Sequence, residues 1–135
     1  MNYWLLKSEP ESWSWSDQVK KGVEPWTGVR NHQAAKNLRT MRLGDLALFY
    51  HSVTERSIVG IVEIVREAYL DPTDTTGKWV CVDVKAAKPL PRPVSLAEIK
   101  AEPTLKDIAL VRQSRLSVTP LEEMTWKRLL AMGGL

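Results

Sequence analysis

Three segments in the middle of the chain constrain its fold more than any other feature. "LALFYHS" (46–52), "SIVGIVEIVREA" (57–68) and "WVCVDVKAA" (79–87) are crowded with β-branched and aromatic residues and separated by turns. Strands joined by short turns pair antiparallel, whereas parallel neighbours need a long crossover. In the third segment Val80, Val82, Val84 and Ala86 alternate with Trp79, Cys81, Asp83 and Lys85, which makes one face core and leaves the other mixed.

Helical signals flank this β-rich centre. "YWLL" (3–6) reads as a first strand that stops at the proline of "KSEP". Ser14 with Asp17 has the spacing of a capping box and opens a short helix ending at Gly22. Asn31 is an N-cap for a second helix to about Met41, after which "LGD" turns the chain. "PLPRPVSL" reads as a proline-rich connection, and "SLAEIK" as a helical turn. "LVRQSRLSV" (110–118) is expected to be a further strand. Thr119-Pro120-Leu121-Glu122 is expected to start the last helix, with Thr as cap, Pro at the first position and Glu completing the box. Leu121, Met124, Trp126, Leu129 and Leu130 give that helix its apolar face, and Gly133 ends it. The expectation is one α+β domain over residues 1–135, a mostly antiparallel and strongly curved sheet with helices packed around it.

Composition narrows the function classes. At 135 residues and 44% hydrophobic, the chain can bury a real core. No apolar run approaches the ~20 residues of a membrane span, and the start lacks a secretory layout. An intracellular, soluble protein is expected, cytoplasmic, or nuclear in a eukaryote. The single Cys81 excludes an internal disulfide, and with only His32 and His51 as histidines no metal site is expected. Residues 57–84 carry two basic and five acidic side chains, a balance of −3. Residues 85–118 carry seven and three, a balance of +4. That asymmetry allows a basic face suited to a polyanion.

Several side chains invite a binding role. Of the six tryptophans, Trp126 falls on the apolar face of the last helix, Trp13 and Trp15 surround a helix start and should cover the sheet edge, and Trp4 lies on the first strand. Trp26 sits in a loop between Pro25 and Thr27-Gly28, where an indole suits stacking on a flat heterocycle. Asn31, with Gln33, offers amide groups to a ligand edge besides its capping role. Tyr50, His51 and Ser52 end a strand; His51 and Ser52, as neighbours on a strand, point to opposite faces and cannot form a nucleophile–base pair. Arg112 and Ser114 would share one strand face as a phosphate clamp. No glycine-rich phosphate loop and no nucleophile elbow is present.

Taken together, "YWLLKSEP", "WTGVRNHQA", "MRLGDLALFYHS", "VGIVEIVREAYLDPT" and "LVRQSRLSVTPL" resemble the EVE domain in order and spacing, from Tyr3 to the final helix. The resemblance implies a PUA-like pseudo-barrel, related to the YTH readers of methylated RNA bases. It also implies recognition of modified nucleobases, 5-methylcytosine-type DNA bases prominent among them. Carried across by motif, the pocket would draw on Lys7 and Ser8; on Trp26, Val29 and Asn31; on Tyr50, His51 and Ser52; and on Arg112 and Ser114. This chain departs from the pattern at His32, where relatives often carry an aromatic residue. The function expected is a non-catalytic module that binds a modified DNA or RNA base without cofactor, metal or membrane. The alternative is an enzyme on the same scaffold, an RNA-cleaving or small-amide hydrolase using Lys7, Tyr50 or His51.

Overall fold

The computed structural model describes all 135 residues. In chain order the elements are β1 (Tyr3–Ser8), α1 (Trp15–Lys21), β2 (Val23–Pro25), α2 (His32–Thr40), β3 (Leu46–His51), β4 (Ser57–Leu70), β5 (Val80–Ser95), α3 (Leu96–Ala101), α4 (Ala109–Arg112), β6 (Val118–Leu121) and α5 (Glu123–Met132). The strands form one six-stranded sheet in the order β2-β5-β4-β3-β1-β6. Every pair is antiparallel except β1 with β3. The parallel pair is possible because α1, β2 and α2 supply the crossover between those two strands.

Both faces of the sheet are covered. On β1, Trp4 and Leu6 enter one core with Ala34 and Leu38 of α2, while Leu5 enters the other with Ile99 of α3, Leu110 of α4, and Trp126 and Leu129 of α5. Phe49 and its neighbours Leu48 and Tyr50 divide in the same way on β3. A strand buried on both faces loses its polar alternation, which is why β3 reads as a continuous apolar run. The long β4–β5 ribbon shifts register at four points, and β3–β4 shifts between Phe49 and Tyr50. Each irregularity bends and twists the sheet, and together they give the expected curvature. No helix is long and apolar enough to cross a membrane.

The local capping signals hold. The Ser14 side chain accepts the Asp17 N–H while Asp17 accepts the Ser14 N–H, and Asn31 accepts the Ala34 N–H at 2.9 Å. Three expectations fail. Residues 110–118 are not a strand: α4 ends at Arg112, and Arg112 N–H and Gln113 N–H donate back to Ile108 and Ala109 carbonyls. The strand beside β1 is instead Val118–Leu121, with Lys7 N–H donating to Ser117 O to extend the ladder. Because Thr119 and Pro120 belong to that edge strand, they do not start the helix; Thr119 is buried and α5 begins at Glu123. An edge position tolerates the missing Pro120 N–H. Finally, "PLPRPVS" is the second half of β5, pairing Pro89 with Gly60 and Val94 with Ile58 around a register shift that accommodates the prolines.

Candidate functional site

The parallel β1–β3 pair ends at Ser8 opposite His51, and two cavities open beside that end. The first is a cleft of about 480 Å³ between the end of β1, the segment entering α1, and the loop after β2. Trp13, Trp26, Val29 and Pro25 supply apolar surface, and Lys7, Ser8, Glu9, Glu24 and Arg30 supply polar groups.

Each wall is fixed by its own contacts. Trp13 donates its indole N–H to Gln18 Oε1 at 2.9 Å, and the buried Gln18 amide donates in turn to Gly22 O at 3.0 Å. The Ser8 hydroxyl donates to the Trp13 carbonyl. Trp26 N–H donates to Val82 O at 2.7 Å, tying the loop to β5, and its ring meets Phe49 edge-on with centroids 5.6 Å apart. At Gly28 a φ of +85° turns the chain, and its N–H donates to Asp71 at 2.9 Å. Arg30 donates to the same carboxylate at 3.0 Å and to Thr73 Oγ1 at 3.1 Å. Lys7 donates its ammonium to Ser114 O at 2.9 Å, and burial lowers its pKa.

Trp26 differs from expectation. It is 7% exposed and belongs to the larger core, so little of its ring reaches the cleft. The β2 strand explains this, because pairing Pro25 with Asp83 carries the following residue inward. Trp13, only partly buried, is the more open of the two indoles on the cleft.

The remaining sequence-derived residues do not converge on one pocket. Tyr50, Ser52 and Ser114 line a second cavity, which Lys7 also lines. Asn31, Arg112 and Ser114 line a separate shallow surface, and the Arg112 guanidinium is paired with Asp107. Because α4 ends at Arg112 and β6 begins only at Val118, Arg112 and Ser114 do not share a strand face, although both line that shallow surface. His51 lines neither cavity: it is buried, its Nε2 accepts the Trp15 N–H at 2.9 Å, and its Nδ1 lies 3.0 Å from Glu55 without hydrogen-bond alignment. That imidazole holds the start of α1. No group of three or more His, Cys, Asp or Glu side chains is placed to hold a metal ion.

Sequence reasoning missed Glu9, Ser12, Glu24, Arg30 and Ser117 at the cleft, and Asp71 behind it. Only Asp71 carried a signal, as the acid of the "DPT" turn, where a short carboxylate can accept the N–H two residues on.

Comparison with known proteins agrees with this architecture. The EVE domain family model matches residues 2–132. A protein of Rhodopseudomonas palustris solved by NMR is 58% identical with a TM-score of 0.94, covering 99% of this chain and 94% of that one. The human THYN1 protein, crystallised in complex with 5-methylcytosine containing DNA, is 33% identical with a TM-score of 0.92, covering 100% and 99%. Thymocyte nuclear protein 1 of Rattus norvegicus is 35% identical over 97% of this chain and 73% of its own length. A yeast YTH domain, at 20% identity and a TM-score of 0.59, shares the fold.

Proposed function

This chain belongs to the EVE domain family and has its PUA-like fold, and from that premise we propose that it is a non-catalytic reader of a modified nucleobase of the 5-methylcytosine type. The observation that carries the reading is the cleft itself: two indoles and Val29 beside carboxylates, a hydroxyl and an ammonium. A flat ring stacks on Trp13 beside Trp26. An exocyclic amine of the cytosine kind finds an acceptor in Glu24 or Glu9, because a carboxylate is the partner that such an amine takes. Lys7, which spends one of its three N–H donors on Ser114 O, keeps donors for the ring's acceptors, while the Ser8 hydroxyl, donating to the Trp13 carbonyl, offers the ligand an acceptor oxygen. The DNA held by the human THYN1 protein supports the same ligand class.

Taking a base out of its stack costs a few kcal/mol, so single strands bind more tightly than matched duplex. One methyl group in an apolar slot is worth ~1–3 kcal/mol, which gives a preference of several-fold to about a hundredfold over the unmodified base. Such a reader works wherever modified nucleic acid is kept, in the cytoplasm or the nucleus.

Titration of 5-methyl-2′-deoxycytidine and 2′-deoxycytidine, free and within single strands, tests the reading. Trp13→Ala should weaken binding by ~1–3 kcal/mol. Nucleosides recovered after hours of incubation should be unchanged by mass spectrometry. More than one product per protein, lost in Tyr50→Phe or Lys7→Gln, would instead establish an enzyme.

A further inference from the structure

The second cavity, a groove of about 710 Å³, is not used by the reading above. It shares Lys7, Glu9 and Ser117 with the base cleft, so the two are continuous across the end of β1. Its lining carries four cations, Lys7, Arg56, Lys100 and Arg115, against one carboxylate, Glu9. Arg56, Lys100 and Arg115 form no ion pair within the protein, although seven lysines and arginines elsewhere are paired with carboxylates. Unpaired cations gathered in one concavity concentrate positive potential there.

Two further features mark the groove as built. Tyr50 is only 3% exposed, yet it lines the groove, and its hydroxyl is not among the buried side-chain atoms left without a partner, so the buried ring holds a polar tip toward the groove. The turn between β3 and β4 also holds two non-glycine residues in the left-handed region, Val53 at φ 71° and Arg56 at φ 48°. For a β-branched residue this conformation is a true outlier, and strain of this kind gathers at ligand clamps. Leu96 N–H donates to Arg56 O at 2.8 Å and fixes the turn against α3. The Arg56 side chain spends only its Nε on the protein, donating to Val53 O at 3.2 Å, which leaves both terminal nitrogens for a ligand. The Tyr50 phenol titrates high, because burial outweighs the opposing charge of Arg56, so it stays a donor.

Resting on the reader assignment, we propose that this groove holds the sugar–phosphate backbone flanking the recognised base, with Arg56 and the Tyr50 hydroxyl sharing one phosphate and Lys100 and Arg115 meeting the next. The strand passes from cleft to groove over Lys7. Arg56 offers two parallel donors that match phosphate oxygens, and Lys100 and Arg115 act as counter-charges along the track.

The test compares two probes on the intact chain: 5-methyl-2′-deoxycytidine, and a short single strand with one 5-methylcytosine. The double variant Arg56→Gln with Lys100→Gln should lose about 10- to 50-fold affinity for the strand, with a log–log salt slope shallower by about 1.4, since each single-strand phosphate contact contributes about 0.7. Its affinity for the nucleoside should stay within about twofold, because the nucleoside carries no phosphate. Tyr50→Phe should weaken the strand alone, by about threefold, and Arg56→Lys should keep the slope. An unchanged slope in the double variant, or equal losses for nucleoside and strand, would overturn the proposal. Inorganic phosphate binding as tightly as the strand would also overturn it, by making the groove a small-anion site. If methylated and unmethylated strands bind alike while the slope still falls, the reader assignment fails and the backbone track stands.

Discussion

The Asp71 carboxylate accepts the Gly28 N–H at 2.9 Å across 43 residues of sequence, so the turn after β4 sets the shape of the loop that lines the cleft. The same oxygen takes Arg30, and the other takes Thr73 through its N–H at 2.7 Å and its hydroxyl at 2.6 Å. Asp71→Asn keeps the outline but removes the charge and leaves donors facing donors. A loss of about 1–3 kcal/mol in chemical unfolding is expected, the worth of a broken buried charged hydrogen bond. Hydrogen exchange at the Gly28 amide should quicken with it. Unchanged exchange would mean that the Trp26 N–H to Val82 O bond alone holds the loop.

The same carboxylate makes acid stability predictable. Burial opposes its ionisation, but hydrogen bonds from Thr73, Gly28 and Arg30 outweigh burial and bring its pKa down from 3.8 to about 2. A folded pKa below the unfolded one stabilises the ionised form, so the contribution is complete above 3.8 and disappears as pH falls through about 2. It amounts to no more than about 2.5 kcal/mol. Unfolding free energies measured from pH 6 to pH 2 should show this loss in the wild type and a flatter profile in Asp71→Asn.

Gly60 lies beneath the Trp15 ring, where an added Cβ would sit 2.5 Å from ring carbons. That ring in turn packs edge-on against Phe49, with centroids 5.4 Å apart. Gly60→Ala should cost about 1–3 kcal/mol, the usual penalty for overpacking. The double change Gly60→Ala with Trp15→Leu should recover part of the loss relative to additive singles, as contacting residues couple. Strict additivity in that cycle would mean the strain lies elsewhere.

Trp26→Ala should destabilise the protein by about 3–5 kcal/mol, since a buried tryptophan is removed from the core. Trp13→Ala should cost much less stability and still weaken ligand binding. A tryptophan free in a loop would leave the melting temperature almost unmoved on truncation, whereas the burial of Trp26 implies a clear fall. Differential scanning calorimetry of the two variants separates these outcomes.

What could be read from the sequence follows the range of the interaction that decides it. Ser14 and Asn31 cap helices through contacts three residues away, so their motifs were legible. The run Leu46–His51 announced a strand because its apolar and aromatic residues, Phe49 and Tyr50 among them, favour a buried pleat. Residues 110–118 misled because the partner that selects the strand is β1, more than a hundred residues earlier, and it pairs with Val118–Leu121. Nothing local tells "LVRQSRLSV" which half will be chosen. Lys7, Ser8, Trp26 and Val29 line one cleft, whereas Asn31 and Arg112 lie on another surface. Glu24 and Ser12 were invisible because a three-residue strand and an irregular segment bring them there.

The place of β1 between β3 and β6 has a consequence for the order of assembly. The cleft and the groove both border Lys7, whose ammonium reaches Ser114 across 107 residues. Contacts so distant in sequence are the slowest to close, because the loop entropy must be overcome before they contribute. On a ribosome, the β3–β4–β5 ribbon can form while the first strand still waits for its second neighbour. The binding surface therefore matures last, and a nascent or truncated chain without β6 would have much of its sheet and an incomplete site.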